Sequence, residues 1–111
     1  MAIYLFDSTG GWIAWKRTED DRYLWATDGD RLGWFPWDDG VALDNGGEYL
    51  GTVVRGSWLL YQDSFGGERD HPGTPGGNRF ENVGYPGHPG FHEGCRTPAG
   101  YGDVPRDRLR R

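Results

Sequence analysis

The chain has 111 residues, a net charge of −5, and 35% hydrophobic against 15% aromatic residues, which bounds it to a single domain with a core built largely of rings. Acids outnumber bases 11 to 5 over positions 1–64 and stand 6 to 7 beyond them, a balance that repels phosphate backbones and argues against nucleic acid as a partner. The single Cys95 closes no internal disulfide, and neither a basic leader nor a long apolar run is visible, so the reading is cytoplasmic.

In chain order, one unit is written three times. Tyr4-Leu5-Phe6-Asp7-Ser8-Thr9-Gly10-Gly11-Trp12-Ile13-Ala14-Trp15 aligns without gaps on residues 23–34 and again on 41–52, at periods of 19 and 18 residues. In each copy an apolar strand runs into a Gly/Asp/Asn turn and a second apolar strand returns, which predicts a β-hairpin. Gly10, Gly29 and Gly47 share one turn position, where a tight hairpin needs positive φ. Asp28-Gly29 and Asn45-Gly46 place the turn dipeptide one step apart, so the turn type is open between copies. A small residue recurs at Ala14, Gly33 and Gly51, preceded by Ile13, Leu32 and Leu50. This pattern predicts close backbone approach, either about a central axis or under a ring such as Trp15 or Trp34.

Trp58-Leu59-Leu60-Tyr61 reads as the first strand of a fourth unit, with a turn at 62–67. Its return strand is either an irregular stretch at 67–70 or, the favoured reading, a segment near 78–83, because 79–83 is the only part of the tail that alternates. The division is therefore 1–65 as repeated hairpins and 66–111 as a Gly/Pro-rich tail, draped on the domain or partly disordered. From position 65 onward there are 11 Gly and 6 Pro, a composition for loops and turns.

The runs Tyr4-Leu5-Phe6-Asp7, Tyr23-Leu24-Trp25 with Leu32-Gly33-Trp34-Phe35, and Val41-Ala42-Leu43-Asp44 with Leu50-Gly51 resemble the four-fold β-flower family. The resemblance covers residues 3–65. It implies an all-β fold of repeated hairpins around a pseudo-four-fold axis, and it implies no reaction.

Candidate chemistry lies in the tail. His88, His92 and Cys95 stand at spacings a zinc site could use, with His71 as a fourth ligand, but turn-forming Pro89-Gly90 and the absence of a paired CxxC point to exposed loop residues, so no metal or cofactor is expected. Cys95 as a nucleophile needs a base, for which His88 or His92 is the candidate. Asp7, Asp28, Asp30, Asp38, Asp39 and Asp44 sit mostly at turns, where aspartate bonds its own backbone. The tryptophans are needed as core; Trp37, beside Pro36 in a connection, is the one expected to contact a ligand. The reading is a non-enzymatic binding module for an unknown protein or small ligand. The alternatives are a metal or thiol enzyme on the tail and membrane-surface association through the arginine-rich 106–111 segment. Exposed hairpin edges also allow a homo-oligomer.

Overall fold

The computed structural model describes residues 2–63, 77 and 80–109. Their strands run in sequence: β1 (Ile3–Phe6), β2 (Trp12–Lys16), β3 (Tyr23–Ala26), β4 (Arg31–Trp34), β5 (Val41–Asp44), β6 (Tyr49–Val54), β7 (Trp58–Gln62) and β8 (Tyr101–Asp103), followed by a 3₁₀ turn at Arg106–Leu109. Each strand pairs antiparallel with the next, and a parallel contact of Phe6 with Trp58 joins β1 to β7, so seven strands close into a barrel. The architecture is all-β and compatible with a β-flower-like repeat of hairpins.

The three written copies fold alike down to the hydrogen bond. In each, the turn is a three-residue loop closed by two backbone bonds: Gly10, Gly29 and Gly47 donate to the carbonyls of Asp7, Ala26 and Asp44, and those residues donate to Gly11, Asp30 and Glu48. The three glycines have φ of 90°, 95° and 90°, the left-handed position that ends such a loop. One turn type therefore serves all copies, and Asn45-Gly46 is not its positive-φ step; Gly47 is. Asp7 and Asp44 also bond their own turns through Oδ1, and Ala26 occupies the equivalent place in the second copy.

Register explains the recurring large–small pair. Leu5 faces Ala14, Leu24 faces Gly33 and Ala42 faces Gly51, and one step on the register jumps, so that Phe6 faces Trp12, Trp25 faces Arg31 and Leu43 faces Tyr49. The residues skipped are Ile13, Leu32 and Leu50, each a β-bulge. A bulge re-aims its side chain: Leu32 and Leu50 are buried in the same core as Leu5, Leu24, Ala42 and Leu59, and Ile13 packs against it. The small residue makes room for the next strand. A Cβ on Gly33 would overlap the Leu43 carbonyl, and one on Gly51 would stand 3.0 Å from that of Leu60. The close approach is thus to neighbouring backbone, not to a tryptophan ring.

The fourth hairpin is β7 with β8, and its return strand lies at Tyr101–Asp103, which pairs with Leu60, Tyr61 and Gln62. This corrects the expectation of a return near 78–83. Of that segment, 80–83 is described, and it instead bridges the tip of the second hairpin through Asp30 and Asn82; positions 67–70, 78 and 79 lie outside the described residues. The open edge of β7 is shared, its start meeting β1 and its end meeting β8. Asp103 then locks β8 to the first hairpin by taking both the N–H and the hydroxyl of Ser8, each at 2.7 Å.

Among the described residues the tail bonds to each of the first three hairpins near its tip. Val83 donates to Gly29, His92 to Gly10 and Cys95 to Ser8, and Arg108 reaches Asp44 and the Tyr49 carbonyl on the third hairpin. The barrel end bearing the tips is therefore tied to the tail. The opposite end, where residues 17–22, 35–40 and 55–57 connect the hairpins, is not sealed in this way by the described residues.

Candidate functional site at the open end of the barrel

At the connection end the described residues enclose a cavity of about 580 Å³. Its floor is apolar, formed by Ile3, Leu5, Phe35 and Val53, and its mouth is charged, carrying Glu19, Asp20, Asp38, Lys16 and Arg22. An apolar body with a few placed polar groups is the usual make-up of a small-molecule site. A second, smaller cavity of about 260 Å³ lies near the tips, against Trp12, Ile13 and Leu109.

The wall of the larger cavity is held rigid by Asp21. Its carboxylate is 3% exposed in the side chain and accepts bonds from the Arg17 amide and guanidinium, the Tyr23 amide and the Trp25 indole at 2.8–3.2 Å. Burial pushes this carboxyl up, but the bonds from Arg17, Trp25 and Tyr23 outweigh it and hold the group at about 2. Arg17 in turn lies 4.8 Å over the Trp25 ring, so a charged residue and a wholly buried indole brace the same connection.

Lys16 reaches from the mouth onto Phe35 of the floor. The Lys16 ammonium stands 4.9 Å from the Phe35 ring centroid and donates to the Glu19 carbonyl at 2.8 Å. Arg22 donates to the Phe35 carbonyl at 3.1 Å and approaches Asp38 at 3.5 Å. The half-buried Trp37 lines the same cavity, so the residue singled out in the sequence for ligand contact belongs to its wall. Lys16, the last residue of β2, and Glu19 and Phe35, in the connections, carried no such mark, because all three fall outside the aligned copies.

The tail residues are placed elsewhere. The His92 ring stacks on Phe6 at 4.7 Å and lies 5.2 Å from Trp58, roofing the outer apolar cluster of Phe6, Trp58 and Leu60 into which Cys95 also packs. His88 meets the edge of Trp12 and its Nδ1 accepts the Gly90 amide at 2.9 Å. The Cys95 thiol faces the Arg96 carbonyl at 3.5 Å. Among the described residues no group of three or more His, Cys, Asp or Glu is gathered for a metal; His71 lies outside them. Likewise, among the described residues no helix is long and apolar enough to cross a membrane. No protein-family model, curated protein or solved structure significantly matches this chain.

Proposed function

We propose that the protein is a small, non-enzymatic binding module that takes its ligand in the cavity at the connection end of the barrel. The observation that supports this is the asymmetry of that cavity: an apolar floor on closed strands beneath a charged mouth on loops, with a rigid brace at Asp21. Binding residues on loops held by a rigid scaffold are the common arrangement. The three like-folded hairpins, with β7 and β8 as a fourth strand pair, also support a place in the four-fold β-flower family, whose resemblance carries a fold and leaves function to the site.

Titration of the ¹⁵N-labelled chain with a library of small amphipathic fragments tests the reading. Binders are expected to shift the Trp37 indole and the amides of Phe35 and Asp20, and Trp37→Ala is expected to weaken them by about tenfold, the loss of one stacked ring. Shifts confined to the tail aromatics around Trp12 and His88 would move the site away from this end.

A further inference from the structure

We infer that the ligand of this cavity is an organic ammonium on an apolar body, and that its cation takes the position on Phe35 that the protein's own Lys16 now fills. The inference rests on the cavity being the binding site and adds what binds there.

Lys16 already displays the recognition. A primary ammonium lies on the face of Phe35 and donates to the Glu19 carbonyl, so ring face and carbonyl together form a seat for one compact cation. Phe35 is only 6% exposed in this arrangement. The surrounding charges favour the same sign. Glu19 and Asp20 are exposed and make no ion pair among the described residues, whereas Arg22 is tied to Asp38 and to the Phe35 carbonyl. Asp21 is committed to Arg17 and Trp25 and takes no part.

Exchange of one ammonium for another is close to balanced. A ligand cation regains the ring and the carbonyl, and the displaced Lys16 can turn to the carboxylates of Glu19 and Asp20 within the same connection. What tips the exchange is the apolar body, which covers the apolar lining of the cavity at Leu5 and Val53. An anion of the same shape would face those two carboxylates, and a neutral molecule would leave Lys16 in place and lose the seat.

The test compares 2-phenylethylammonium with its neutral counterpart 2-phenylethanol by ¹⁵N titration of the full chain. The cation is expected to bind about twofold tighter, because the ring seat is exchanged with Lys16 near balance and the exposed carboxylates of Glu19 and Asp20 favour the positive probe, and to shift Lys16, Phe35 and Trp37. Lys16→Gln, a change at the half-buried end of β2 checked for folding by amide dispersion, is expected to tighten the cation about fivefold and leave the alcohol unchanged; Asp20→Asn is expected to weaken the cation alone about twofold. Equal affinity for the two probes at the cavity residues would overturn the ammonium and keep the cavity as the binding site. No shift at those residues with either probe would overturn both. Cation affinity unaltered by Lys16→Gln would overturn the displacement of Lys16.

Discussion

The two ends of this barrel are built from the same strands and treated in opposite ways. At the tip end, each turn satisfies its own backbone and is then overlaid by the tail, from Val83 on Gly29 to Arg108 on Asp44. At the connection end, the end of β2 and the links between hairpins carry the charges and the rings of Lys16, Arg22, Phe35 and Trp37 around a space of about 580 Å³. The tips are held to one geometry by glycine φ and by register, so variation there is costly. The connections have no such repeat to obey, and that freedom is where a binding site can be written.

The comparison can be broken at its shared wall first. Gly33→Ala drives a Cβ into the Leu43 carbonyl and is expected to cost about 3 kcal/mol or more, read from urea unfolding. Next comes a contrast between tips. Gly10→Ala meets both a φ of 90° and the His92 carbonyl, while Gly47→Ala meets a φ of 90° and open space among the described residues. The first is expected to cost about 2.5 kcal/mol and to strip hydrogen-exchange protection from the His92 amide; the second about 1 kcal/mol, with that amide still protected.

At the open end, Asp21→Asn is expected to lose about 2 kcal/mol at pH 7, the worth of holding a carboxyl near 2 instead of its ordinary value. The folded carboxylate binds its proton more weakly than the unfolded one, so this contribution is whole above about pH 4 and is lost as pH falls through about 2. The gap between the wild type and Asp21→Asn should therefore close over that window. A gap independent of pH would show that the Asp21 contacts stabilise without the charge. The smallest effect is at the β6–β7 turn, where Arg55 holds a φ of 55° before Gly56 at 77°; Arg55→Asn is expected to raise stability by about 0.5 kcal/mol in the same unfolding assay.

Much of the barrel was legible in the sequence because its physics is local. The turn glycines, the first strands with Leu5, Leu24 and Ala42, and the small residues opposite them are each dictated within a dozen neighbours. The large–small pair was visible too, although its meaning as a bulge needed the register. The strand at Tyr101–Asp103 was not legible: three residues with a central glycine leave no alternation, and its pairing follows from the edge that β7 offers. The alternating stretch near 80–83 misled for a related reason, since one bridge to a hairpin tip suffices to order it. At the site, Trp37 stood out by composition, whereas Lys16 and Glu19 acquire their role only when a connection folds them over Phe35. His88 and His92 were read as exposed loop residues with spacings a metal could use, and their rings are taken up by aromatic packing.

The lock between Ser8 and Asp103 has a consequence for how the chain reaches this state. The first three hairpins close loops of three residues and can form on the microsecond scale typical of such units. The contact that fixes β8 spans 95 residues, so its loop entropy must be met before it returns any free energy. These separations predict two tempos of assembly, the local hairpins first and the closure by β8 later. Until Asp103 arrives, the free edge of β7 is the place where a second chain could add a strand of its own.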